Sequence, residues 1–379
     1  MYWNIFELFL NFERNVKLMS IESDLKKDGV EIVSKLDTLH TNSIAKNISR
    51  KLCNAFPNCQ FNESELFIKL SRLNMYLANM PDGMAEANYF YKNSSIYFNS
   101  KIPVEDLEEF AIHECIHCIQ EVKDKKNNLL RMGLCDFSEF KIYGLGLNEA
   151  AVQYITSKII GIPKDTVKYY GIEFSTISPS YYPIECNLIE QMIFITGEDC
   201  LIESTFNNTT TFQKKFIELT SLETFYFVQK ELDNILNLEE NIIHLNNKFK
   251  TINEKSGKSD VILNKIEKCK KKISQTYLNI QNMIIEDYFN NQFSEITNLE
   301  ELESYRKKLY KYRNYIGITD NYTFYNNYYV EKMSALEHKY NILENGGIET
   351  AIMEIEKVNI FLSIFRKIKN FFWKEKIEM

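Results

Sequence analysis

With 379 residues, 45% of them hydrophobic and 13% aromatic, the chain has the means to bury a real core, which excludes an intrinsically disordered protein. Its net charge of -7 excludes a general nucleic-acid binder, since no domain-wide basic excess exists to neutralise phosphates. Only 12 Gly and 6 Pro leave too few tight turns for an all-β fold, so long helices in two domains, or three, are expected.

From the first residues, Trp3, Phe6 and Leu10, then Ile21, Leu25, Val30, Ile32, Val33 and Leu36, recur at helical spacing and predict two or three helices over residues 3–56. The opening segment has no basic start, is broken by Glu7 and lacks a small-residue cleavage site, so it does not read as a signal peptide. Its aromatics predict a helix docked on the body, with a membrane-touching anchor as the alternative. No apolar run is long enough to span a bilayer, and a cytoplasmic address is the simplest expectation. A further helix is predicted over residues 61–77, and Pro81-Asp82-Gly83 reads as a turn. Residues 88–92 and 95–99 are aromatic and β-branched around Asn93-Ser94, which predicts a short hairpin.

Directly after it, Pro103 to about Lys123 reads as one helix containing His113-Glu114-Cys115-Ile116-His117, an H-E-x-x-H motif. With only 5 His in the whole chain, a chance match is rare. On a helix, residues four apart share a face, so His113 and His117 can hold one metal ion. Glu114 turns to the neighbouring edge, where it can serve as general base. Leu107, Ala111, Ile112, Cys115, Ile116 and Ile119 fill the opposite, apolar half of the helix wheel. Cys115 and Cys118 lie on that apolar side, away from a helix start, and read as buried thiols rather than a redox pair. Cys53 and Cys59 could bridge only in an oxidising compartment, and the eight cysteines read as reduced.

A third ligand is offered downstream in Gly144-Leu145-Gly146-Leu147-Asn148-Glu149-Ala150-Ala151. The glycines end one segment, Asn148 reads as the N-cap of the next helix, and that helix ends near Gly161. Glu149 is then the candidate ligand, with Gln153 one turn on to orient its carboxylate. H-E-x-x-H followed by a second helix bearing N-E-A resembles the gluzincin group of zinc metallopeptidases, over roughly residues 85–160. The resemblance implies Zn2+ held by His113, His117 and Glu149, with Glu114 as general base. It also implies that a strand before the metal helix borders the cleft, and that a later Tyr or His steadies the oxyanion. Gln153 stands where thermolysin-like enzymes carry Asp, so the resemblance reaches the group and not a subfamily. Tyr181 and Tyr182, just before a helix through Cys186, Leu188, Ile189 and Met192, are the candidates for the oxyanion donor, Tyr182 first; His244 is a weaker one.

Beyond residue 220, Phe225, Val228, Leu232, Ile235, Leu238, Ile242 and Leu245 form a heptad-like seam over 222–250. A turn at 254–259 leads to a second long helix, and further helices follow over 300–312 and 329–343. At the end, Ile360, Phe361, Ile364, Phe365, Ile368, Phe371 and Phe372 oppose Arg366, Lys367, Lys369 and Lys374. That stripe reads as the last helix of a bundle, with peripheral membrane contact as the alternative.

Taken together, the expectation is an α+β, helix-dominated chain. Residues 1–220 would form a zincin-like domain with a small β-hairpin or sheet, and residues 221–379 an all-α, coiled-coil-like hairpin or bundle. The expected activity is zinc-dependent hydrolysis of a peptide or protein substrate, with a protein partner for the helical part as a further expectation. The rival is a scaffold without catalysis, in which Cys135 or Asp136 closes the metal site as a fourth ligand.

Overall fold

A computed structural model describes residues 29–59, 61–81, 85–126, 128–137, 142–251 and 258–345. The expected N-terminal helix, the turn at 82–83, most of the turn at 254–259 and the C-terminal amphipathic stripe lie outside these residues. The described chain is α+β and dominated by helices. Among the described residues, no helix is long and apolar enough to cross a membrane. All eight cysteines are free, and Cys115 and Cys118 are buried.

The first described element corrects the sequence expectation. Glu31–Lys35 is a strand, β1, not a helix. It pairs antiparallel with β2, Asn74–Asn79, which lies where the expected helix over 61–77 would have ended. Between them stand helix α1, Thr38–Ala55, and helix α2, Glu63–Leu70. The side chains of Asp37 and Asn62 cap their N-termini, Asp37 accepting from the His40 amide and Asn62 from those of Ser64 and Glu65. Strands β3, Ala87–Phe90, and β4, Ser95–Asn99, form the expected antiparallel hairpin. β4 also runs parallel to β2, giving one sheet in the order β1-β2-β4-β3, with β3 at an edge.

Helix α3, Leu107–Gln120, follows a short 3-10 turn at Val104–Asp106 and packs on β3 and β4. It is shorter than expected, because Glu121–Lys123 leaves it as strand β5. β5 joins β6, Leu129–Met132, β7, Cys135–Phe137, and β8, Ile142–Tyr143, in a second antiparallel sheet. Helix α4, Leu145–Ile160, ends on Gly161, whose φ of +80° closes it in the left-handed conformation. A hairpin of β9, Asp165–Tyr169, and β10, Ile172–Thr176, leads to α5, Pro183–Thr196. Helices α6, Glu198–Asn207, and α7, Thr211–Leu219, then pack against each other and on α5.

Helix α8, Leu222–Lys250, buries most of the expected seam: Phe225, Val228, Leu232, Ile235, Leu238 and Ile242 are inside, and Leu245 is half-buried. It packs on α4 and α7. Among the described residues two compact units can be distinguished: one runs to Gln281 and takes in Gly317–Thr319, the other holds Asn282–Ile316 and the described residues from Asp320 on. Helix α9, Lys258–Glu295, contributes to both. In the first unit, Tyr277 donates to Asn187 at 2.6 Å, and Gln281 bonds both the N–H and the carbonyl of Gly317. In the second, α10, Leu299–Tyr312, packs on α11, Phe324–Asn345. There Phe289 meets Tyr305 and Tyr312 edge-on, and Lys332 and Lys339 lie over the Phe293 ring.

Candidate metal centre

Helices α3 and α4 pack together, and their facing turns bring His113, His117 and Glu149 into one buried group whose donor atoms all lie within 4.8 Å of one another. His117 Nε2 is 3.0 Å from His113 Nε2, and the Glu149 carboxylate oxygens are 3.2 Å from His113 Nε2 and 3.4 Å from His117 Nε2. Donors held tetrahedrally about 2.0–2.1 Å from a divalent ion would stand roughly 3.3 Å apart. The spacing therefore fits a metal. So does an acceptor left over inside the group: Glu149 is buried, and its Oε1 has no hydrogen-bond partner. These are the ligands read from the sequence, and Cys135 and Asp136 do not join them. Asp136 instead lies 3.6 Å from Arg131, with its side chain 63% exposed.

Electrostatically the three residues are one unit. Burial alone would lower the His113 pKa, but the bond to Glu149 and the charges of Glu114 and Glu149 outweigh it and raise it. Burial likewise pushes Glu149 up, yet the two imidazoles win and hold its carboxyl well below the usual range. Buried together, one carboxylate and two imidazoles form a donor set that could hold a cation.

Each helix is held by contacts that no local pattern reveals. Gln153 does not orient Glu149 as expected. Its Oε1 stands 3.0 Å from His113 Nδ1, and its Nε2 donates to Ser178 at 3.0 Å. A donor on Nδ1 leaves Nε2 free to ligate, so Gln153 fixes both the tautomer and the ring. Replacing Gln153 by Leu is expected to weaken metal binding about 10–100-fold with the fold intact. Chelator competition checks it; unchanged affinity would show that the His113 ring is held by its packing alone.

Asn148 is not the N-cap of α4. Its Oδ1 accepts from Leu134 N at 3.0 Å, and its Nδ2 donates to Gln120 at 3.3 Å, pinning the β6–β7 turn to both metal helices. Capping comes from α8 instead. Asp233 accepts from the Gly144 and Gly146 amides at 3.0 and 2.8 Å. That offsets the unpaired N–H groups and the positive end of the α4 dipole. Gly146 permits the approach: a Cβ there would lie 2.6 Å from the Leu232 backbone.

Glu114 is buried beside the ligands without being one of them. The Tyr89 amide, on the edge strand β3, donates to its Oε2 at 2.7 Å, and the Tyr89 phenol donates to Glu121 at 2.9 Å. Burial raises the Glu114 pKa, although both histidines pull it down. Tyr182 sits at the other side of His113, with ring centroids 6.1 Å apart and nearly parallel planes. Its φ of +47°, immediately before Pro183, is a costly conformation for a non-glycine residue and sets the ring against the centre. Burial, then Glu149 and Glu114, push its phenol well above the ordinary value, so it stays protonated. Tyr181 and Tyr182 both line the cleft of about 170 Å³ that reaches His113 and Glu114, whereas His244 is exposed on α8. Sequence reasoning missed Tyr89, Ser178 and Asp233; the first two act through a main-chain amide or a loop hydroxyl, and Asp233 comes from a distant helix.

Comparison of the chain with protein-family models, with curated proteins and with solved structures finds no match. What the geometry defines by itself is a buried His-His-Glu group on two packed helices that could hold a metal ion.

Proposed function

We propose that the chain is a zinc metallopeptidase of the gluzincin type, with His113, His117 and Glu149 holding the ion. The observation that carries this reading is the convergence of the three donors at 3.0–3.4 Å with Glu114 beside them, at the end of a cleft. When bound, a zinc ion supplies a Lewis acid that polarises a carbonyl and makes a water more acidic.

The protein's own groups divide the remaining work. With Oε2 tied to the Tyr89 amide, Glu114 has its other oxygen to take a proton from the attacking water and pass it to the leaving amine. The Tyr182 phenol, protonated and next to His113, donates to the oxyanion that forms on the substrate carbonyl. Along β3, the Glu86 carbonyl faces β4 and accepts from Asn99 at 2.8 Å, while the Tyr89 amide faces away. By alternation the Ala87 backbone also points off the free edge, where an extended peptide can pair.

Elemental analysis of protein purified without added metal tests this. One equivalent of zinc is expected in wild type, lost in His113→Ala and weakened in Glu149→Ala. Wild type that stays metal-free after zinc is offered would remove the peptidase reading.

A further inference from the structure

The walls of the cleft carry a charge pattern that the hydrolytic machinery does not require. Among the described residues lining it there is no Lys or Arg. Besides Glu114, two carboxylates line it: Glu86, immediately before β3, and Glu109, one turn ahead of His113 on α3. Glu109 is exposed and Glu86 half-buried, and neither forms an ion pair with a described cation. Both act on the same ring. Burial first, then Glu86 and Glu109, push the Tyr181 phenol up to about 12. Tyr181 in turn meets Phe110 edge-on at 6.4 Å. Ile160 and Ile162 add apolar side chains to the same lining.

Two carboxylates sharing a cleft lining with aromatic and aliphatic side chains form a surface for a cationic side chain with a long apolar stem. Lys and Arg have that shape: the methylenes can lie on Phe110 and Tyr181 while the charge reaches the carboxylates. An acidic side chain in the same place would meet like charge from both sides and lose its water without compensation.

We propose, resting on the peptidase reading above, that the cleft selects polypeptide segments carrying Lys or Arg beside an apolar residue near the scissile bond. Glu86 and Glu109 determine this specificity by complementing the cation.

The experiment uses short fluorescein-labelled peptides sharing one apolar centre and differing only in a flanking Arg or Glu. Binding is read by anisotropy on the zinc-loaded Glu114→Gln full chain, and cleavage on wild type. The Arg peptide is expected to be favoured about tenfold at low salt in both assays, with the ratio shrinking at high salt. In the double variant Glu86→Gln/Glu109→Gln the Arg-to-Glu ratio falls toward unity, and in Glu86→Lys/Glu109→Lys it inverts. Arg-selective binding without cleavage by wild type would uphold the charge selection and overturn the peptidase reading. Cleavage of both peptides at equal rates would do the reverse. A ratio left intact by the double variant overturns the assignment to Glu86 and Glu109, and absence of both binding and cleavage overturns the selection outright.

Discussion

Peptide hydrolysis by Glu114→Gln is expected to fall about 10²–10⁴-fold, with metal content unchanged from wild type. The separation follows from where Glu114 lies. It is not one of the three residues whose donors converge, so an amide in its place removes no ligand. The new side chain has the same shape and can still accept from the Tyr89 amide, which now meets Oε2 at 2.7 Å. What disappears is the ability to hold a proton between water and leaving amine. Elemental analysis and a peptidase assay on the same preparation check both halves. Full activity with full metal would move the base elsewhere, and lost metal would make Glu114 part of the binding site rather than the chemistry.

A second large effect is expected from Glu185→Gln, this time on stability. Glu185 on α5 and Glu239 on α8 are buried carboxylates, and none of their oxygens has a hydrogen-bond donor. Burial, with Glu149 adding to it, pushes Glu185 up to about 7; burial and then Glu185 push Glu239 well above its ordinary value. The folded chain therefore binds protons here more tightly than the unfolded chain. Stability is highest below the ordinary value of 4.5 and falls as pH rises toward about 7, by roughly 3 kcal/mol at most for Glu185. An uncharged amide at this position can donate to Glu239 and carries no such penalty. Denaturation of wild type and variant should agree near pH 4.5 and diverge above it, with the variant more stable at pH 8. Parallel stability curves across that window would show the pair to be solvated in solution.

The candidate metal site was legible because its donors are written in short-range spacing. Two imidazoles one turn apart and a carboxylate at the start of the next helix are sequence patterns, and α3 and α4 present them as read. The β3–β4 hairpin and the start of α5 were equally local, carried by aromatic runs and by Pro183. β1 and β2 were not. Every side chain of β1 is exposed, including Val33 at 55%, so no alternation of burial marks it as a strand. β2, Asn-Met-Tyr-Leu-Ala-Asn, is built partly from good helix formers and is fixed by a parallel pairing with β4 that local periodicity cannot show. The sheet of β5–β8 consists of strands of two to four residues, too short for a period to appear. Gln153 was placed correctly on the site-facing side of α4 and given the wrong partner. Spacing along one helix pointed to Glu149, whereas reach across to α3 decides for His113.

The bond from Asp233 to the first turn of α4 ties Glu149, the carboxylate of the candidate site, to α8. Gly146 leaves no slack between the two backbones, and the carboxylate grips the two amides just before the turn that carries Glu149. A slide or roll of α8 would therefore be passed on as a tilt of α4, opening or closing the gap between carboxylate and imidazoles. Seen this way the spacing of the three candidate donors is set from outside the two helices that carry them, by a carboxylate on the long helix α8.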